Sequence, residues 1–240
     1  MVTSKFDILW ELQRVAGPSF SLQATHELAQ TDPERSAKTV ITRRQKYVAC
    51  LLLIVFACLL YAQPFKGILL LNACLNLFLF LVFAFRVRLC LGSSHDTFGM
   101  AISDKEVDRL HDSELPIYSV LVPMYKEADV LPILAAALRR MNYPPFKLDI
   151  KLVLEEDDIE TINAAKTYAL DATFEIIRVP YSEPRTKPKA CNYALRLARG
   201  KYLTIYDAED KPERNQLKRA VLAFRRRGKK TACIQAHLNY

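Results

Sequence analysis

The tetrapeptide Asp207-Ala208-Glu209-Asp210 places three carboxylates within four residues, directly after the apolar run Tyr202–Tyr206. Carboxylates crowded at a strand end repel one another, and their pKa values rise unless a cation relieves them. A hard divalent ion, Mg2+ or Mn2+, binds through one or two carboxylates plus phosphate oxygens of a substrate. A second cluster, Arg185-Thr186-Lys187-Pro188-Lys189, has the opposite sign and stands at the start of a helical pattern. Helix N-termini favour anions, so metal, lysines and helix end could together hold a diphosphate. Spacing alone leaves blander readings open: a solvated turn capping the next helix for the acids, and a solvated face for the bases. The histidines (His26, His95, His111, His237) show no metal-ligand spacing, and the six cysteines form no C-x-x-C pair. Neither a zinc centre nor a disulfide framework is supported, and the soluble part is expected in a reducing compartment.

The elements that must position these clusters are legible in the apolar runs. Ile117–Val122 reads as a buried strand, followed by a helix from about Asp129 to Met141 with Pro132 in its first turn. Leu148–Leu154 is a second strand, Ile159–Leu170 a helix and Phe174–Val179 a third strand. A helix over Pro188–Ala198, closed by Gly200, leads to a fourth strand at Tyr202–Tyr206. A helix over Pro212–Arg227 and a last strand near Ala232–Leu238 complete the pattern. Such alternation predicts an α/β fold, a mostly parallel sheet with helices on both faces. Ligands of such sheets bind at the carboxyl ends of the strands, which singles out Pro123–Glu127, Glu155–Asp158 and Asp207–Asp210. Neither G-x-G-x-x-G nor a P-loop occurs.

Upstream lie two apolar runs, Tyr47–Ala62 and Gly67–Phe85, broken by Gln63-Pro64-Phe65-Lys66. Each has about the length that spans a hydrocarbon core of roughly 30 Å as helix. They predict a two-helix transmembrane hairpin within residues 47–91, after a cytoplasmic segment 1–46 with a loop at Thr31-Asp32-Pro33. A linker over 92–116 then leads into the soluble domain, 117–240. Arg43, Arg44, Lys46, Arg86 and Arg88 flank the hairpin, against Lys66 alone in its loop. The positive-inside rule therefore puts both termini and the soluble domain on the cytoplasmic side of a cell (inner) membrane, as a multi-pass protein. Asn72 and Asn76 share one face and are expected to bond a neighbouring helix. The formal charge of +8 suits a protein lying against anionic lipid or binding polyphosphate. No base-reading pattern accompanies it, so no nucleic-acid partner is expected, and Arg225–Lys230 reads as a solvated or lipid-facing helix end.

Four segments in order carry a resemblance. They are Ser119–Glu127 (SVLVPMYKE), Val153–Thr161 (VLEEDDIET), Pro184–Leu195 (PRTKPKACNYAL) and Tyr206–Pro212 (YDAEDKP). In this order they resemble a family 2 glycosyltransferase of the processive, membrane-embedded kind that includes cellulose synthases, over essentially all of 117–240. The resemblance implies a GT-A-like fold and a hexosyltransferase-type activity. A sugar would pass from a nucleotide-sugar donor, a UDP-sugar, to a polysaccharide or glycan acceptor with inversion, and with Mg2+ or Mn2+. It implies that Pro123, Tyr125 and Glu127 cradle the nucleoside, that Glu156 contacts the uracil, and that Lys187 and Asn192 lie beside the diphosphate. Asp207 then faces nucleotide and metal, and Glu209 binds metal where many members carry Asp. The family's later acidic motif, which supplies the general base, and its Q-x-x-R-W motif would fall beyond Tyr240. The chain therefore reads as C-terminally truncated, and no catalytic base is assigned. The alternative is a catalytically inactive membrane protein that binds nucleotide-sugar or associates with a full synthase as partner subunit.

Overall fold

The computed structural model describes residues 5–93, 100–168 and 173–236, and the chain divides into two compact units. One unit combines Met1–Thr31 with Ala101–Tyr240. Its centre is a four-stranded sheet: β1 (Tyr118–Met124), β2 (Leu148–Glu155), β3 (Phe174–Val179) and β4 (Tyr202–Ile205), in the order β3-β2-β1-β4. All three pairings are parallel, as buried β-branched runs separated by helices require.

The period of two along each strand sorts the side chains between two faces. Val120, Val122, Ile150, Leu152, Leu154 and Phe174 pack under three helices on one face. These are α5 (Leu131–Arg139), α6 (Ile159–Thr167) and α8 (Gln216–Arg227). Leu121, Val153, Ile177 and Val179 point to the other face, covered by α7 (Lys187–Leu195). Phe20 and Ala24 of α1 (Lys5–Thr31) pack against the same cluster. Each such aliphatic side chain contributes roughly 1.5–3 kcal/mol on burial, and both faces are needed to cover the sheet.

Helix α1 is a finding that composition hid, because its most buried positions, Gln13, Gly17 and Ser21, are small or polar. Gln13 Oε1 accepts from the Arg178 backbone N–H at 2.7 Å, which satisfies a donor on the outer strand β3. Gly17 lies against Pro180 and Tyr193, and a Cβ there would stand 3.1 Å from the Pro180 ring. Ser21 Oγ meets Ser182 Oγ at 2.5 Å.

Other elements differ from expectation. The stretch anticipated as a linker holds the short helix α4 (Asp104–Asp108), opened by a capping box between Ser103 and Glu106, and it buries Val107, Leu110 and Leu115. Residues 231–236 form no strand, and the remainder of that expected element, with His237, lies outside the described residues, as does His95. Helix α7 ends at Leu195, so Gly200 does not close it. A Cβ at Gly200 would fall 2.3 Å from the Ser119 backbone nitrogen, and Gly200 N–H donates to Ser119 Oγ at 2.8 Å. Close approach to β1 is what this position demands.

Beneath α7, at the amino ends of the strands, lies a charged layer. Asp149, wholly buried, accepts from Ser119 Oγ at 2.7 Å and from Arg199 Nε at 3.0 Å, and pairs with Lys151 Nζ at 2.8 Å. Lys151 also pairs with Glu175. Burial would push the Asp149 carboxyl up, but bonds from Lys151, Ser119 and Arg199 outweigh it and hold it at about 2.

The second unit, Asp32–Met100, contains α2 (Arg43–Ala62) and α3 (Pro64–Ser93). Both are long and apolar enough to cross a membrane, and neither is buried within the protein. Thr42 and Gln45 form a capping box at the start of α2, and Gly67 lets Leu60 pack closely where the helices turn. Asn76 Nδ2 donates to Asn72 O and Oδ1 at 2.8 and 2.9 Å, so the two share one face of α3 and bond along it.

Gly200→Ala is expected to cost about 1–3 kcal/mol of stability in denaturant melts, because backbone must shift. Asp149 titrates lower in the folded protein than its ordinary 3.8, so its contribution is complete above about pH 4 and is lost as pH falls toward about 2. Thermal melts should show an acid limb over that window, and Asp149→Asn should flatten it while lowering the neutral plateau.

Candidate functional site

The sheet opens where β1 and β4 part. Their pairing runs from Tyr118↔Tyr202 to Leu121↔Ile205, and the last bond between them is Tyr206 N–H to Leu121 O at 3.0 Å. Beyond it β1 continues alongside β2 alone, as far as Met124↔Leu154. Pro123, which has no N–H to give, stands in this unpaired edge. The chain adds β2 and β3 on one side of β1 and β4 on the other, so the parting coincides with the topological switch point.

A cleft of about 460 Å³ fills the opening. Pro123, Met124, Tyr125 and Glu127 line it from the end of β1, Glu155 from β2, and Asp207, Ala208 and Glu209 from the segment after β4. Arg185, Thr186 and Lys187 close it from the N-terminus of α7. The two clusters of opposite sign thus face one cleft, and Lys187 Nζ forms an ion pair with Asp207. Asp210 Oδ2 accepts from the Asp207 N–H at 2.7 Å, which fixes the acidic turn.

The loop after β1 is held by groups that sequence reasoning missed. Lys126 adopts a left-handed conformation, φ 57°, which costs a residue with a Cβ about 1–2 kcal/mol. Its N–H donates to Asp158 Oδ2 at 2.6 Å. The other oxygen of Asp158, a nearly fully buried residue, caps α6 by accepting from Thr161 N at 3.2 Å. Thr161 Oγ1 in turn accepts from Glu127 N at 3.3 Å. Helix α6 therefore buttons down the loop that presents Tyr125 and Glu127. The signal was present in the sequence, since Asp158-x-x-Thr161 precedes a helical run, but the cap's second partner lies 32 residues upstream.

A buried ion pair backs the wall at Glu155. Lys189 Nζ lies 3.1 Å from Glu155 Oε1 and donates to Ser182 O at 3.3 Å. At the mouth, the Arg185 guanidinium lies 4.8 Å from the Tyr125 ring centroid and 5.7 Å from that of Tyr181, and bonds Asp157 Oδ1 at 2.8 Å.

Of the residues anticipated for the site, Pro123, Tyr125, Glu127, Lys187, Asp207 and Glu209 come together around the cleft. Glu156 and Asn192 are not in its lining. Glu156 is exposed one residue past Glu155, its N–H bonded to Val179 O at 2.9 Å. Asn192 Nδ2 donates to Ala24 O at 3.2 Å and so ties α7 to α1. Among the described residues no three His, Cys, Asp or Glu side chains converge on a common point for a metal.

Residues 119–239 match the profile of Glycosyl transferase family 2. No curated protein matches the chain. Among solved structures, the mannosyltransferase PcManGT from Pyrobaculum calidifontis, in complex with GDP-Man and Mn2+, is similar at 28% identity and a TM-score of 0.41. That likeness covers 49% of this chain and 36% of that one. Residues 1–349 of S. aureus TarS, in complex with UDP-GlcNAc, are similar at 22% identity and a TM-score of 0.36, over 44% of this chain and 30% of that one. The chain thus spans about a third of the length of these structures.

Asp158→Ala is expected to cost about 1–2 kcal/mol, through loss of the α6 cap and of the bond to Lys126. Lys126→Gly should hold or raise stability, by up to about 1 kcal/mol, because glycine adopts the left-handed conformation freely. Denaturant melts of the two single variants and the double variant measure both, and Lys126→Gly should recover part of the Asp158→Ala loss.

Proposed function

Because the chain belongs to Glycosyl transferase family 2, we propose that its cleft binds a nucleotide-sugar, a UDP-sugar, for transfer to a glycan acceptor by a membrane-anchored enzyme. The observation that carries this reading is the meeting of opposite charges at the parted strands. Lys187 and the α7 N-terminus supply positive potential, Asp207 and Glu209 supply carboxylates, and all line one cleft of about 460 Å³.

In this reading Pro123, Tyr125 and Glu127 form the nucleoside end, held in place by Asp158 and Thr161. Glu155 lines the same cleft, and Glu156, exposed one residue further on, is the acid expected near the base. Lys187 takes the diphosphate, while the buried Lys189–Glu155 pair keeps the first turn of α7 against β2. Asn192 acts at a distance, by anchoring α7 to α1.

Asp207 and Glu209 offer hard carboxylate oxygens that suit Mg2+ or Mn2+, with the diphosphate completing the shell, since such ions need only one or two protein carboxylates. When bound, the ion offsets charge on the departing diphosphate. The residues of this chain bind and orient the donor, and none of them is assigned the removal of the acceptor proton. Helices α2 and α3 provide the anchor, each long and apolar enough to cross a bilayer.

Titration calorimetry of the full chain in detergent should show UDP binding that requires Mg2+ or Mn2+. Asp207→Asn should weaken it by about tenfold or more, as expected for loss of a charge-assisted contact. Nucleotide binding of equal strength with and without the metal, or its absence altogether, would overturn the reading.

A further inference from the structure

Four ion pairs tie α8 to the segment that follows α3. Arg219 pairs with Asp104 at 2.7 Å, Lys218 with Asp112 at 3.0 Å and Arg225 with Glu114 at 3.2 Å. Arg226 pairs with Glu106 and donates to Ala101 O at 3.1 Å, and Arg219 also reaches Glu213. These bonds consume the acids of the region and leave its other cations over. Lys105 in α4 and Arg109 just after it, with Arg227, Lys229 and Lys230 at the end of α8, are exposed and make no ion pair among the described residues. From Ala101 to Leu115 the acid left without a partner is Asp108.

We propose that α4 and the C-terminal end of α8 form a surface that lies against anionic lipid headgroups. The inference rests on the reading of α2 and α3 as a membrane anchor. Covalent connectivity favours lipid over other anions. The Ala101 carbonyl that Arg226 holds lies eight residues after the end of α3, and extended chain spans at most roughly 3.5 Å per residue. The chain between the end of α3 and Ala101 is thus at most about 28 Å long when extended, and Arg226, next to the surplus cations of α8, is bonded to that carbonyl. A phosphodiester surface supplies the negative charge that the protein itself withholds, and each cation at such a surface strengthens contact by about fivefold. The apolar, aromatic interleaving that single-stranded nucleic acid requires is missing from Arg225–Lys230.

Cys233, exposed and three residues past Lys230, gives the probe position. The full chain, with Cys50, Cys58, Cys74 and Cys90 each replaced by Ala, is labelled there with a fluorophore. It is then reconstituted into vesicles of phosphatidylcholine alone or mixed with phosphatidylglycerol, each carrying a headgroup spin-label quencher. Quenching should be several-fold stronger in the phosphatidylglycerol vesicles, fall with added salt, and return to the phosphatidylcholine level in Arg227→Gln/Lys229→Gln/Lys230→Gln. Equal quenching in both lipids, or no change in the triple variant, overturns the surface while leaving the anchor standing, provided alkaline carbonate leaves the protein in the bilayer. Release by carbonate from both vesicle types sinks the anchor and the surface together. Relief of quenching by single-stranded RNA at physiological salt identifies a nucleic-acid surface and overturns the lipid assignment.

Discussion

Everything at the carboxyl edge of the sheet depends on β1 and β4 ceasing to pair after Leu121. Parallel strands held together to their ends would close the sheet with a continuous ladder and leave no recess. Here the last shared bond is from Tyr206 to Leu121, and Pro123 then removes a donor that β4 could have used. The space between the separated ends receives the Tyr125–Glu127 loop from one side and the Asp207–Asp210 turn from the other. Helix α7 is the element between β3 and β4, so the same crossover that moves the chain to the far side of β1 also aims a helix N-terminus at the gap. The cleft is thus a property of strand order before it is a property of any side chain.

Two buried charge systems make that arrangement rigid. At the amino end of the sheet, Asp149 collects Ser119, Lys151 and Arg199, and so joins β1, β2 and the turn before β4. At the carboxyl end, Glu155 and Lys189 join β2 to α7. Each charge finds its partners and its hydrogen bonds, the condition under which burial is tolerated and removal of one member is costly. Between the two systems the layer is aliphatic, with Leu121, Val153 and Ile177 packed under Ala190 and Ala194. Helix α1 braces α7 from outside, through Asn192 and Arg196, and β3 through the edge N–H of Arg178.

The strands were the most legible part of the chain, because buried parallel strands are short unbroken apolar runs. Phe174–Val179 is read to the residue, and Leu148–Leu154 falls one short. Helix ends were less so, since they are settled by partners distant in sequence. The anticipated end of α7 at Gly200 assumed a local capping role, whereas the position is set by Ser119 of β1, 81 residues away. Helix α1 was hard to read as a packing element because its most buried residues, Gln13, Gly17 and Ser21, form no apolar stripe, with Phe20 and Ala24 beside them meeting the core. At the site, the acids and bases that converge were visible as clusters, Asp158, Lys189 and Glu155 among them, while the roles of these three were hidden: they lie in which atoms each meets, and composition does not record that.

The Lys187–Asp207 pair gives the cleft an electrical character that neither residue has alone. With the two joined, the mouth presents a neutral couple rather than a positive wall facing a negative one. An incoming anion that draws Lys187 away strands the Asp207 carboxylate, and an incoming cation that draws Asp207 away strands the ammonium. A visitor of mixed polarity can trade partners with both at once. Both side chains are about half exposed, so water shares in that exchange and the pair parts readily.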